Sequence, residues 1–230
     1  VGDLRLRYGL LQAAKRLCHQ ARLSSVHVLF PRDAELSACD QAGFFLRHQE
    51  QYHFLNEGYG SFEDFLGRMR GHRRTAIRHE RRTLVESGIS VRTYRGLLPD
   101  DAPSAPASVR ESFTRAELDQ VFDLYVGTSQ RYTGELPYLN RRFFHLCAER
   151  LGDRLELVLA RKTCAPEPAA ASAASCESSE PATELLGGAW NLRGDHRLLV
   201  RYWGEAQHVP FLHFEVCLYH SVERCIREGI

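Results

Sequence analysis

The segment LLGGAWNLRGDHRLLVRYWG, residues 185–204, decides the fold of this chain. Apolar runs lie on both sides of the pair Gly194-Asp195, which is typical of a turn between two strands. We therefore predict strands at 185–192 and 197–203, which extend an antiparallel meander.

The chain upstream of this segment alternates between helical and strand-like patterns. Apolar residues three and four apart predict helices, whereas short or alternating apolar runs predict strands. Ser61 and the capping box Thr114–Glu117 mark two helix starts. The predicted helices lie at 3–23, 33–42, from 61, 72–87, from 114, 139–151 and from 220, and the remaining predicted strands at 26–30, 44–56, 89–94, 155–160 and 212–217.

Two segments of biased composition divide the chain. The Pro-rich stretch at 98–112 is typical of a linker. The Ala- and Ser-rich stretch at 163–184 has too little apolar bulk to pack, so we expect a disordered insertion there. The prediction is an α+β (mixed α/β) fold in two halves, 1–97 and 114–230, joined by a linker at 98–113.

The composition is that of a globular protein, with 43% hydrophobic residues and a formal net charge of +1. No apolar run of 18 residues predicts a membrane span. The seven cysteines include no CxxC pair, which argues against a disulfide framework or a zinc cluster and favours a reducing compartment. We expect a cytoplasmic protein, or an organellar one in a eukaryote, without a metal site. Because the chain begins at Val1 and its one methionine is Met69, we also expect a piece of a longer protein.

Seven arginines fall between residues 68 and 82. On a helix, Arg74, Arg78 and Arg81 share one side. One interpretation is a site for the phosphates of tRNA, a nucleotide or a lipid pyrophosphate. The other is a solvated helix face with Arg–Glu pairs.

The segment around residue 53 offers a second set of polar side chains. In a strand, Gln51 and His53 point the same way, and Asn56 and Tyr59 follow at its exit. A substrate-binding role and a structural role, with a satisfied histidine and a turn-forming asparagine, are both open.

The predicted strand at 212–217 carries the main catalytic candidates. Alternation places His213 and Glu215 on one face, away from the apolar residues. Their pairing predicts a general base or a substrate anchor, or else a structural His–Glu network. The aromatic strand end Arg201-Tyr202-Trp203 predicts either a groove lining or part of the core.

The stretches QYHFLNEGYGSFEDFLGRMRGHRRTAIRHERR (51–82), RYWG (201–204) and LHFEVCLYHSVERCIREGI (212–230) resemble a family of FemAB-like, GNAT-superfamily proteins. That family is labelled as N-acetyltransferases of peptidoglycan biosynthesis or recognition. The resemblance implies two GNAT-like halves. Because family members continue beyond the position of Ile230, the resemblance also implies that the second half is incomplete here.

The resemblance also implies a site and an activity. Its candidate residues include Gln51, His53, Asn56, the arginine helix, Arg201, Tyr202, Trp203, His213 and Glu215. We expect an acyl- or aminoacyl-transferase that joins an activated acyl group to an amine-bearing substrate, with acyl-CoA or aminoacyl-tRNA as co-substrate and no tightly bound cofactor. Glu215, through water or with His213, is expected to take the amine proton. The alternative is a non-catalytic RNA- or polyphosphate-binding module, and a third reading is a purely structural protein.

Overall fold

The computed structural model describes residues 3–48, 50–99, 110–163 and 183–230. These residues form two compact units, Val1–His53 and Phe54–Ile230. Most of the predicted linker and most of the predicted insertion lie outside the described residues.

The first unit contains α1 (Leu4–Gln20) and α2 (Asp33–Gln41). The side chains of Arg7 and Lys15 on α1 each donate a hydrogen bond of 2.8 Å to the α2 region, to the carbonyl oxygens of Ala34 and Ala42. This agrees with the two predicted helices.

The predicted strands at 26–30 and 44–56 are wrong. Both segments are irregular in the residues that the structure describes. An apolar or alternating run identifies a strand only when a neighbouring strand completes its hydrogen bonds. None of the described residues supplies such a partner here.

The second unit begins with α3 (Phe62–Gly67), capped by Ser61, and α4 (Gly71–Glu86). Farther along the chain lie α5 (Arg115–Thr133) and α6 (Arg141–Leu151). At the start of α5 the predicted capping box is confirmed, because the Thr114 hydroxyl accepts from the Glu117 N–H at 3.2 Å and the Glu117 carboxylate accepts from the Thr114 N–H at 2.8 Å.

Four antiparallel strands form one sheet in the order β1–β2–β3–β4. The strands are β1 (Ile89–Arg95), β2 (Leu155–Thr163), β3 (Thr183–Arg193) and β4 (Leu198–Glu205). This confirms the α+β class and the meander. The division into halves at 98–113 stays a prediction, although β1, which precedes that segment, pairs with β2, which follows it.

The two faces of the sheet carry separate cores. On one face, α5 and α6 pack Phe144 against Trp190 and Leu157. On the other, Leu84 of α4 and Val216 belong to a cluster with the small strand residues of β2 and β3.

The predicted strand at 212–217 is also wrong. Residues 212–228 are helical throughout and comprise α7 (Leu212–Phe214), a π-helical turn (Glu215–Tyr219) and α8 (His220–Glu228). The alternation at 212–216 is compatible with a helix as well, because Leu212 and Val216 are four residues apart and both buried. Val222, Cys225 and Ile226 continue the apolar pattern at helical spacing and are buried, which favours a helix over a strand.

An ionic cluster with a buried centre lies between the sheet and α8, and we call it the sheet-end cluster. It consists of Arg95, Glu156, Arg193, Arg224 and Glu228. The Arg224 guanidinium donates to Glu156 at 2.7 Å and to Glu228 at 3.0 Å. The Glu156 side chain is 0% exposed, so this cluster ties the sheet to the helix from inside.

Candidate functional site

A second ionic cluster joins α4 to the π-helical turn. The Arg81 guanidinium donates to both carboxylate oxygens of Glu215, at 3.0–3.3 Å, and to Glu223 of α8 at 2.6 Å. We call Arg81, Glu215 and Glu223 the Arg81 cluster. Its side chains are graded in exposure, since Glu215 is 8% exposed and Glu223 is 40% exposed.

Burial dominates the electrostatics of Glu215. It raises the pKa of the Glu215 carboxyl above its usual range, and the Arg81 guanidinium offsets part of that rise. A carboxylate that receives two hydrogen bonds from one guanidinium is held in orientation. Its geometry is that of an anchored group.

Further polar and aromatic contacts hold the π-helical turn and α4 in place. The Tyr219 hydroxyl donates to Glu80 of α4 at 2.6 Å and accepts from Arg73 at 3.3 Å. The Arg81 guanidinium also lies over the Phe62 ring, 4.9 Å from its centroid. A π-helical turn interrupts regular helix geometry and recurs at functional sites, and here three side-chain contacts hold it against α4.

His220, which follows the π-helical turn, is a partly buried neutral group. Burial lowers the pKa of its imidazole to about 4, and the positive charge of Arg224 adds to this. Its Nε2 shares a hydrogen bond of 2.9 Å with the Thr93 hydroxyl. This arrangement favours a structural role for His220.

His213 lies at the surface, where β4 leads into the 212–228 helix. Its ring stands edge-on to Trp203, with 5.4 Å between the ring centroids. Because positions two apart on a helix do not face each other, His213 and Glu215 diverge. This corrects the prediction that they share one face.

The connection from β4 to the helix contains a strained position. Phe211 has a φ of 69° and a ψ of −12°, in the left-handed region that side chains seldom adopt. The sequence 206–211, AQHVPF, contains no glycine that could take this conformation freely. Strain of this kind is concentrated at functional sites.

The predicted phosphate-binding arginines are not equivalent. Arg78 forms an ion pair with Glu63, at 2.5 Å for the shortest contact, and Arg81 belongs to the cluster above. Arg74 donates only to the carbonyl oxygen of Gly67 at 3.4 Å. The helix therefore combines neutralised and unneutralised arginines.

The remaining candidates of the 51–59 segment separate between the two units. Gln51 and His53 are exposed residues of the first unit. In the second unit, the Asn56 side chain donates to the carbonyl oxygens of Cys225 and Ile230 at 3.4 and 3.3 Å. Its Oδ1 accepts from the Gly58 and Tyr59 N–H groups at 3.2 and 3.3 Å, so the amide is fully engaged.

Tyr59 and the aromatic end of β4 have mainly packing roles. Tyr59 stacks with Phe54, and Tyr202 lies in the aromatic core 5.6 Å from Trp190. Arg201 is exposed over the Tyr202 ring. Trp203 alone among these residues touches a catalytic candidate, His213.

Gly204 is required by packing. A Cβ at Gly204 would lie 2.5 Å from the backbone carbon and oxygen of Leu124. Any side chain at this position would push α5 away from β4.

A protein-family model described as FemAB-like, peptidoglycan biosynthesis/recognition, matches residues 3–230. The chain belongs to the FemAB-like family. A search of the curated proteins finds no match to it.

Sequence reasoning missed two residues of the candidate site. Glu223 and Tyr219 contact α4 residues more than 135 positions earlier in the chain. Tyr219 and Glu223 follow Glu215 by four and eight residues, so the three share one side of a helix. This signal appears only when residues 212–228 are taken as a helix.

The described residues contain neither a candidate metal cluster nor a candidate membrane span. Within residues 3–48, 50–99, 110–163 and 183–230 there is no group of three or more His, Cys, Asp and Glu side chains that could hold a metal ion. None of the helices in these ranges is long and apolar enough to cross a membrane.

Proposed function

We propose that this FemAB-like protein is an acyl- or aminoacyl-transferase that forms an amide on an amine acceptor. The observation that carries the proposal is the exposed His213, which stands against Trp203 where β4 leads into the 212–228 helix. In support of it, the order of β1, two helices, three antiparallel strands and a helix resembles the order in a GNAT acyltransferase core. Family membership supports an acceptor related to peptidoglycan.

In this proposal His213 accepts the proton of the attacking amine. The nitrogen forms a bond to the acyl carbon, and the bond to the donor's leaving group, a CoA thiolate or the terminal ribose oxygen of tRNA, breaks. The outer edge of β4 has no strand partner among the described residues, so its N–H groups are available to polarise the acyl carbonyl.

Glu215 has a positioning role here, which modifies the sequence-based expectation of a catalytic base. Arg81 occupies both of its carboxylate oxygens. The ion pair between Arg81 and Glu215 fixes the start of the π-helical turn. Because His213 lies two residues before Glu215, the same contact also helps to fix the position of His213.

The test compares two exposed histidines of the same region. His213→Gln should lower the rate of amide formation by about 10²–10⁴-fold, because general bases contribute factors of this size. His208→Gln is the matched control, since the His208 side chain is 80% exposed and pairs only with Glu205; its rate should stay within twofold.

The assay uses acetyl-CoA and an aminoacyl-tRNA as donors and a peptidoglycan-type peptide with a free amine as acceptor. Product with one donor alone identifies the donor class. The proposal fails if neither donor gives product, or if His213→Gln keeps the normal rate per folded molecule.

A second candidate function is a non-catalytic module that binds RNA or polyphosphate. The unneutralised arginines of α4 favour it, because clustered cations without counter-charges attract phosphate. Tight phosphate-dependent binding without turnover by either donor would select this function.

A further inference from the structure

Helix α1 of the first unit carries a row of exposed leucines, which we call the α1 stripe. Leu6, Leu10 and Leu17 are 49%, 60% and 64% exposed. With 3.6 residues per turn, their positions fall within an arc of about 40° and extend over about 16 Å of the helix. The stripe therefore presents apolar surface to solvent along most of α1.

The α1 stripe is not the side of the helix that packs on α2. The side chains of Arg7 and Lys15 reach carbonyl oxygens of the α2 region. Leu11 and Cys18 lie between these two positions around the helix, and both are partly buried. The centre of the stripe lies about 120° away from this side, so α2 leaves it uncovered.

Charges of a single sign accompany the stripe. Residues 4–22 contain four arginines and one lysine but neither aspartate nor glutamate. Arg5 and Arg16 lie about 100–120° around the helix from the centre of the stripe, on the flank away from α2. No ion pair of Arg5 or Arg16 occurs among the residues that the structure describes. Both guanidinium groups are exposed beside the leucines.

The uniform positive charge discriminates between the possible occupants of the stripe. Seams between helices set their register with flanking charges of both signs. A second copy of α1 would instead bring arginines of the same sign together. An anionic bilayer surface supplies an apolar layer for the leucines and negative headgroups for the arginines, without any requirement for register.

We propose that α1 binds the surface of an anionic lipid bilayer and lies in the plane of the interface. The leucines of the α1 stripe enter the boundary between headgroups and acyl chains, as in other basic amphipathic helices. Arg5 and Arg16 extend their long side chains to the headgroups. Because α1 belongs to the first unit, this interaction is independent of His213 and of amide formation.

Binding is measured by co-sedimentation of the 230-residue chain with unilamellar vesicles. Vesicles of phosphatidylcholine with about 30% phosphatidylglycerol should bind the protein about 30-fold more tightly than phosphatidylcholine alone, because each of two surface cations contributes about fivefold. A rise in salt from about 0.1 to about 0.5 M should weaken the binding, since it shortens the range of the attraction.

The apolar part of the interaction is tested at the centre of the stripe. Leu10→Gln should weaken binding to the anionic vesicles by about tenfold, because burial of a leucine side chain contributes at least about this factor. Leu136→Gln is the matched control, since Leu136 is 75% exposed in the second unit; it should leave the affinity within about twofold.

The charged part is tested by a pair of substitutions. Arg5→Gln together with Arg16→Gln should weaken binding by about 30-fold. Arg142→Gln together with Arg150→Gln removes the same charge from exposed positions of α6 and should leave the affinity within about twofold.

Tryptophan fluorescence gives the orientation of the helix without a loss of affinity. Leu10→Trp and His19→Trp place the indole on opposite sides of α1, because nine residues correspond to a turn of 180°. Both positions are exposed. Anionic vesicles should shift the additional emission of Leu10→Trp to shorter wavelength and leave that of His19→Trp unchanged.

Three results would overturn the proposal: equal binding to neutral and anionic vesicles, wild-type affinity in Leu10→Gln, or equal spectral shifts at positions 10 and 19. A chain that binds no vesicles, but forms a dimer that Leu10→Gln dissociates in analytical ultracentrifugation, would assign the α1 stripe to a second copy of the protein.

Discussion

The two ionic clusters that include residues of α8 use the same chemistry in different surroundings. The sheet-end cluster sets three arginines against two glutamates, and its central Glu156 is 0% exposed. The Arg81 cluster sets one arginine against two glutamates, and its outer member Glu223 is 40% exposed.

Exposure decides what each cluster can do. Charges removed from water are costly unless they remain paired, so Glu156 and Arg224, which are 0% and 5% exposed, must keep their partners. In the described residues the sheet-end cluster even leaves Glu156 Oε2 and Arg224 Nη1 without a hydrogen bond. The Arg81 cluster opens to the surface at Glu223, beside the helix turn that carries the candidate site.

The largest effect is expected from Glu156→Gln. It removes the negative charge that Arg95, Arg193 and Arg224 share, and breaking a buried ion pair from one side typically costs 3–5 kcal/mol. Urea denaturation should therefore show a loss of about 3–5 kcal/mol. Glu184→Gln, on an exposed part of β3, is the control and should change stability by less than about 0.5 kcal/mol.

Equal losses in these two variants would remove the distinction between buried and exposed glutamates on which the comparison rests.

Arg81→Gln should cost less, about 2–3 kcal/mol at pH 7, because water reaches part of the cluster. The sign with pH follows from Glu215, whose pKa burial raises. A carboxyl with a raised folded pKa stabilises the fold below its unfolded pKa and loses that contribution as the pH rises. Without Arg81 the pKa of Glu215 is raised further. The loss of stability in Arg81→Gln should therefore be larger at pH 7 than at pH 4.

Parallel denaturation series at these two pH values measure the difference. Arg82→Gln on the same helix should show no such dependence, and a pH-independent deficit in Arg81→Gln would mean that Glu215 does not carry the effect.

Local chemistry made part of this fold predictable from sequence. The Ser61 cap, the Thr114–Glu117 box and the Gly194-Asp195 turn depend on residues a few positions apart, and all three lie where expected. The strands of the meander also agree. Period-two alternation failed at 44–56 and 212–217, because it carries no information about a neighbouring strand.

The candidate site was less predictable, since its contacts connect distant parts of the chain. Arg81 and Glu215 were both candidates from sequence, but their pairing spans 134 residues. Because residues 212–217 were predicted as a strand, His213 and Glu215 were expected on the same face, whereas the helix turns their side chains apart. Asn56 shows a different limit, because its amide satisfies helix-end carbonyls that no local pattern reveals.

Acid should weaken the sheet-end cluster. Hydrogen bonds from Arg224 and Arg193 outweigh the effect of burial and lower the pKa of Glu228 to about 2. A lowered folded pKa gives stability above the unfolded value of about 4.5, which is lost as the pH falls toward 2. Glu228→Gln cannot lose this contribution in acid. Its stability should therefore fall by about 1–2 kcal/mol less than that of the wild type between pH 6 and pH 2, with allowance for partial solvent screening.

Thermal or urea unfolding from pH 6 to pH 2 tests this prediction. Glu149→Gln, in the exposed pair with Arg115, should retain the wild-type acid profile, and an unchanged profile in Glu228→Gln would contradict the assignment.

The smallest effect is expected where the geometry is equally good but water surrounds both partners. Arg78 donates to Glu63 through Nε and Nη2, as Arg81 does to Glu215, yet the two side chains are 49% and 61% exposed. Exposed pairs contribute about 0–1 kcal/mol, since solvent already satisfies each charge. Arg78→Gln and Glu63→Gln should each change the free energy of unfolding by less than about 0.5 kcal/mol, measured by urea denaturation at low salt. A loss as large as that of Arg81→Gln would show that hydrogen-bond geometry, and not exposure, separates the ionic contacts of this protein.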